Sequence, residues 1–230
     1  AMKNRLGFDR TGTAIHGNYR YLPPDKYFKE HPEWYPMSRE GKRAPKDDWF
    51  CWSNPEVTKE LTVVLREKLK AQPKDHNLQM GQGDNSVDCL CPECRKINEE
   101  HGSPNAACLL ALNRVAEKLM PEFPEHRITT FAYHNTAAAP QKINISPFIV
   151  ITYVNTVDHM KVFTNSAKRA GDFKQWTNAA KEIVIYDWSV NFGNMLLPFP
   201  NIKARAEDIR LFHDQSPAVV VGFAPQVMGG

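Results

Sequence analysis

No run in this sequence approaches the roughly 18 apolar residues that a membrane-spanning helix needs, so no membrane span is expected. The first residues, AMKNRLGF, lack the apolar core of a signal peptide. Ala1 ahead of Met2 has the look of a cleavage scar, so a leader or upstream domain could have been removed. A periplasmic or secreted location of a longer form therefore stays open. Internal repeats and low-complexity tracts are missing as well. The net charge of +3 is spread along the chain rather than gathered into a stripe. Lys59, Arg66, Lys68 and Lys70 fall on an expected helix as a solvated face, so no nucleic-acid partner is expected. Gly7-Phe8-Asp9-Arg10-Thr11-Gly12 does not match a dinucleotide-binding fingerprint. None of the five cysteines has a basic partner visible in sequence, so no cysteine nucleophile is expected.

What is present is an alternation of apolar runs and helical patterns. Strand-like runs occur at 4–8, 48–52, 77–81, 127–133, 148–154, 182–188 and 218–223. Several are β-branched or aromatic without polar alternation, as parallel strands covered on both faces require. Ser53-Asn54-Pro55-Glu56 reads as a capping box that launches Val57, Leu61, Val64, Leu65 and Leu69 on one helical face. Ser103-Pro104 opens a second helix with Leu109, Leu112, Ala116 and Leu119 at the same spacing. A third helix begins near Phe173 and Trp176, and a fourth, about 202–213, is expected to bury Ile202, Ala206, Ile209 and Phe212. The link between 131 and 148 shows no strong helix. Strand alternating with helix predicts an α/β fold with a parallel sheet, in one domain over residues 1–230. The expected form is a TIM (β/α)8-like barrel lacking its first strand; the alternative is an open doubly wound sheet.

The densest chemistry lies at 82–94. Asp84 and Asn85 break an apolar run where a strand hands over to a loop, and Cys89, Cys91 and Cys94 follow at once. The three cysteines have zinc-like spacing, and a tetrahedral site needs a fourth ligand, which Cys51 could supply. A Cys89–Cys94 or Cys91–Cys94 disulfide and simple reduced thiols are the other readings. Cys108 sits on a helix's apolar face, as a buried residue would.

An ordered set of motifs carries a resemblance. His31-Pro32-Glu33-Trp34-Tyr35, Gly41-Lys42-Arg43, Cys51-Trp52-Ser53-Asn54-Pro55-Glu56-Val57, Gly83-Asp84-Asn85 and Cys89-Leu90-Cys91-Pro92-Glu93-Cys94 stand in sequence. Ala132-Tyr133, Asp187-Trp188, Asn191-Phe192 and Leu197-Pro198-Phe199-Pro200-Asn201 follow. The set resembles the bacterial domain-of-unknown-function 4838 family, common in gut Bacteroidetes, from about residue 4 to residue 213. That resemblance implies a glycoside-hydrolase-like TIM barrel, distantly related to α-glucuronidases and β-hexosaminidases. It also implies an upstream domain and a first barrel strand that this chain does not contain. Many members end their last strand in a glutamate, whereas Val221-Gly222-Phe223-Ala224-Pro225 carries no acid.

Under that resemblance the expected function is hydrolysis of a polysaccharide-derived sugar, with no cofactor required for catalysis. Asp84 is the acid/base candidate, or else an Asx turn; Asp187 is the second carboxylate, or else a structural partner of an arginine. Asn85, Tyr133, His134, Tyr153 and Trp188 are candidate sugar contacts at strand tips, each alternatively a core or rim residue. His16, in an early loop, is a further candidate, and His31 and Trp34 could cover the mouth. The runner-up is a non-catalytic carbohydrate-binding barrel. A homodimer that supplies the missing strand from another chain is the third possibility.

Overall fold

A computed structural model of the protein describes residues 16–71, 77–85, 88–155, 166–187, 201–215 and 219–220, with the backbone alone at Asp187, Gln215, Val219 and Val220. The described elements run α1 (Pro24–Tyr27), α2 (Pro55–Ala71), β1 (Leu78–Gln79), α3 (Pro92–Glu100), α4 (Ala106–Leu119) and β2 (Ile128–Ala132). They continue with β3 (Ile149–Asn155), α5 (Ala167–Ala179), β4 (Ile183–Asp187), α6 (Ile202–Gln215) and β5 (Val219–Val220). The five strands form one sheet in the order β1-β2-β3-β4-β5, every neighbouring pair parallel. The protein is thus an α/β fold built on a parallel sheet. The order advances strand by strand, without the reversal that marks a doubly wound sheet.

The two faces of the sheet bury different residues. Ile128, Ala132, Ile149, Ile151, Tyr153, Ile183 and Ile185 join the main core with Leu109, Leu112, Phe173 and Trp176 of the helices. Phe131, Tyr133 and Val154, with Tyr186 against them, form a second, smaller cluster. Side chains alternate across a strand, so Tyr153 and Val154 must point to opposite faces. Every residue of β2 and β3 is buried, which explains why both strands lack polar alternation in the sequence.

The helices follow their apolar spacing, with two local differences. Helix α2 buries Val57, Leu61, Leu65 and Leu69, and α4 buries Leu109, Leu112, Val115, Ala116 and Leu119. The cap of α2 is Asn54 rather than Ser53: Asn54 Oδ1 accepts from the Glu56 amide at 2.9 Å. Ser53 is turned toward the cysteine sulfurs instead. Helix α6 presents a different face from the expected one. Ala204, Asp208 and Phe212 are buried, whereas Ile202 is 81 % exposed and Ile209 39 %. The i, i+4, i+8 row from Ala204 places Phe212 against Phe173 with ring centroids 5.0 Å apart, and that contact sets the helix's rotation.

The run 48–52 is not a strand. Trp49, Phe50, Cys51 and Trp52 are all buried, yet they lie in a loop without a ladder. Aromatic packing replaces the ladder: Trp49 meets Trp52 at 5.8 Å, Phe50 meets Trp52 at 5.3 Å, and Tyr19 meets Phe50 at 5.4 Å. The Cys51 amide donates to the Trp34 carbonyl at 2.8 Å, and the Trp49 amide to the Lys46 carbonyl at 3.1 Å. The 77–81 run pairs only at Leu78 and Gln79, and the link from β2 to β3 holds a short 3-10 turn at His134–Thr136 rather than a helix. The 4–8 run lies outside the described residues.

Candidate functional site

The C-terminal ends of β1 and β2 bring three polar groups together. Asp84 Oδ1 accepts a hydrogen bond from the Tyr133 hydroxyl at 2.7 Å. His16 Nε2 lies 3.8 Å from the same oxygen, with the Asp84 side chain 69 % exposed. His16 Nδ1 is 2.6 Å from the Gln82 carbonyl, which can only accept, so Nδ1 carries the proton. That contact turns the Nε2 edge of the ring toward Asp84. Burial first, and then the hydrogen bond to Asp84, push the Tyr133 phenol above its ordinary range. Tyr133 therefore stays a neutral donor and Asp84 its acceptor. The Tyr133 and His134 rings lie 3.8 Å apart between centroids, and His134 is exposed.

The tip is positioned by the chain around it. Gln82 donates to the Tyr133 carbonyl at 3.1 Å and to Thr136 Oγ1 at 3.0 Å, linking the ends of β1 and β2. The Gly83 amide donates to the Asp47 carbonyl at 2.6 Å, and the Asn85 side-chain amide to Asp47 Oδ1 at 2.6 Å. A β-carbon at Gly83 would come within 2.8 Å of the Asp47 backbone, so only glycine allows this approach. Asp47 (φ 49°), Asp48 (φ 54°) and His134 (φ 52°) all adopt the left-handed region, a conformation that costs non-glycine residues and collects at constrained sites. Asp48 is tied in turn by the Tyr19 amide on Oδ1 at 3.0 Å and by the Asn18 side chain on its carbonyl at 2.7 Å.

Behind the tip, the sulfurs of Cys51, Cys89, Cys91 and Cys94 all lie within 4.8 Å of one another, and all four residues are buried. Such a cluster could hold a metal ion. Four ligands at the ordinary zinc–sulfur distance of about 2.3 Å stand about 3.8 Å apart, and Cys51 Sγ and Cys91 Sγ are 3.6 Å apart. All five cysteines are free, so neither expected disulfide is formed. The surroundings are arranged for negative sulfur. The Cys94 amide donates to Cys91 Sγ at 3.5 Å and the Met37 amide to Cys89 Sγ at 3.4 Å, while Arg43 Nη1 stands 3.6 Å from Cys89 Sγ. Ser53 Oγ lies 3.1 Å from Cys94 Sγ and 3.6 Å from Cys51 Sγ and Cys91 Sγ. Hydrogen bonds from Cys89 and Cys94 hold the Cys51 thiol far below its usual range. Donating to Cys51 pushes the Cys89 thiol up to about 12, and hydrogen bonds to Cys51 and Cys89 push Cys94 higher still. Four thiolates at this spacing repel one another, so a cation is what lets all four ionise together. Cys108 is apart from the cluster, buried in α4, its thiol raised by burial.

The remaining expected residues divide. Tyr153 is 4 % exposed and packs edge-on to Phe173 at 5.3 Å in the helix-side core, so it is not part of an open sugar platform. Asn85 is exposed, but its amide is committed to Asp47. Asp187 pairs with Asn155 in the β3–β4 register and is described in backbone only, while Trp188 lies outside the described residues. His31 stacks on Trp34 at 4.1 Å; Trp34 is buried, while the His31 side chain is 41 % exposed. Sequence reasoning gave no role to Gln82 and Asp88, although both lie within 82–94, and passed over Asp47 and Asp48. Gly83, just beyond the strand-like run 77–81, was the signal for Asp47, because a glycine there marks a close backbone approach. Asp88 accepts from the Asn135 side chain, one residue beyond His134, and burial raises its carboxyl above the ordinary range.

A parallel α/β sheet with a tyrosine–carboxylate–histidine group at its strand ends and a four-sulfur cluster behind it defines the class of this protein. The chain belongs to the family described as Domain of unknown function (DUF4838), whose model matches residues 2–222. No curated protein was found to match it.

Proposed function

We propose that the chain is a glycoside hydrolase domain whose sheet is an arc of a TIM-type (β/α)8 barrel. The unbroken parallel strand order and the separate apolar cluster on the face away from the helices support the barrel. In such barrels chemistry sits at the C-terminal strand ends, where Asp84 stands. The observation that carries the reading is the Tyr133 hydroxyl on Asp84 Oδ1 with His16 Nε2 at 3.8 Å beside it. Tyr133 orients the carboxylate, and Asp84 serves as acid/base at the glycosidic oxygen. His16 Nε2 hydrogen-bonds a sugar hydroxyl, and His134 with Tyr133 offers the aromatic edge. Asp187, at the end of β4, is the second carboxylate. Strands three apart in an eight-stranded ring lie nearly opposite across its mouth, which is the relation of β1 to β4.

The same reading makes the four-cysteine cluster a structural zinc centre. Cys51, Cys89, Cys91 and Cys94 supply all four ligands and leave no open position for substrate.

Asp84→Asn tests the function. The variant should lose release of reducing ends from polysaccharide-derived oligosaccharides, with stability within about 1 kcal/mol of the parent. Full activity, or an unfolded variant, would make Asp84 structural. A binding-only domain is the second reading, supported by the absence of any acid in 221–225. Glycan binding by the parent without any hydrolysis would establish it.

A further inference from the structure

We propose that the cysteine metal centre is the clamp that holds the acidic strand tip in place, so that metal occupancy and the geometry at Asp84 are coupled. The inference rests on the zinc reading above and is independent of the hydrolase reading.

Two segments that lack regular structure build both places. The first runs from Met37 to Asn54, where the backbone pairs only as an isolated bridge between Met37 and Arg43 among the described residues. The second runs from Gly81 to Cys91, again without helix or ladder in its described part. Backbone hydrogen-bond ladders therefore do not stiffen them. Two cross-ties do. One is at the tip, where Gly83 and Asn85 donate to Asp47. The other is the sulfur cluster, where Cys51 of the first segment meets Cys89, Cys91 and Cys94 of the second.

The two ties are joined by short chain. Asp47 is four residues from Cys51 and Asp84 five from Cys89, which is at most about 14 and 18 Å of extended backbone. Further bonds lead the same way. The Leu90 amide donates to the Met37 carbonyl at 2.9 Å, and Arg43 Nη1 spans from the Tyr35 carbonyl at 2.8 Å to Cys89 Sγ. The left-handed pair Asp47-Asp48 needs surroundings that over-determine it; Tyr19 and Asn18 hold Asp48 directly, and the ties to the second segment add to them. With the ion bound, four side chains from both segments share one centre. Without it, only burial and weak thiol contacts hold them.

The test begins with metal analysis of the purified chain, where one zinc per protein is expected. The metal is then removed with a thiol-directed mercurial and a chelator, and amide hydrogen exchange is followed. Exchange at 43–51 and 81–85 should rise at least about tenfold, and β2 and β3 should stay protected. Added zinc or cobalt(II) should restore protection, cobalt with thiolate charge-transfer bands. Unchanged exchange at 81–85 after complete removal would overturn the clamp while leaving the zinc centre standing. Less than a tenth of an equivalent of bound metal, with no uptake of added zinc, would remove both. Should the metal-free chain unfold as a whole, the reciprocal experiment decides. Asn85→Ala combined with Gly83→Ala, whose β-carbon would meet the Asp47 backbone at 2.8 Å, cuts the distant tie in the metal-loaded protein, and linkage requires its zinc affinity, read by chelator competition, to fall about fivefold or more. An unchanged affinity would sink the proposal.

Discussion

Tyr19 shows how a single hydroxyl can organise an irregular segment. Its oxygen accepts from the Lys46 amide at 2.7 Å and donates to the Trp49 carbonyl at 3.0 Å, bracketing the Asp47-Asp48 turn. Burial raises this phenol well above its ordinary range. Tyr19→Phe removes both bonds while keeping the ring, so it should cost about 1 kcal/mol. For a chain of 230 residues that is a fall of about 2–4 °C in Tm, read by calorimetry. Asp88 gives a pH-dependent case. Burial raises its carboxyl in the folded state, so over the affected range the native chain holds more protons than the unfolded one. Its contribution to stability therefore falls as pH rises from the ordinary carboxylate range through the raised value. Asp88→Asn removes that fall and can still accept from Asn135. Tm measured against pH should show the variant gaining on the parent above that window and matching it below.

At the scale of elements, α4 and α6 separate what periodicity can and cannot decide. Helix α4 is apolar over a wide arc, so most rotations about its axis bury the same leucines, and the expected face is the observed one. Helix α6 is weakly amphipathic, with apolar residues on more than one face, and the Phe212–Phe173 contact chooses among them. Leu112→Ala in α4 should therefore cost about 2–5 kcal/mol, since Leu112 is fully buried. Ile202→Ala in α6 should stay within about 0.5 kcal/mol, because Ile202 is 81 % exposed. Denaturant titration of the two variants checks the contrast, and a large loss at Ile202 would mean that another surface covers it. The 48–52 run failed for a related reason. A buried aromatic stretch satisfies the composition of a strand, and only partners across space decide whether it enters a ladder or an aromatic cluster.

For the whole molecule, local sequence pattern was enough to specify the α/β class, the parallel character of β2 to β4 and the apolar faces of α2 and α4. These follow from local periodicity and from two-sided burial, both of which are written in neighbouring residues. It also named Cys51 as the residue that could join the other three cysteines, and the structure gathers the four sulfurs within 4.8 Å of one another. Tertiary structure alone decided that Asp84 meets Tyr133 and His16, that Tyr153 faces the helices while Val154 faces the other way, and that Asp47 lies under Gly83. Those relations depend on strand register and loop path, and a shift of one residue would reverse every side chain of a strand. The site's geometry is thus a property of long-range packing, whereas its ingredients are local.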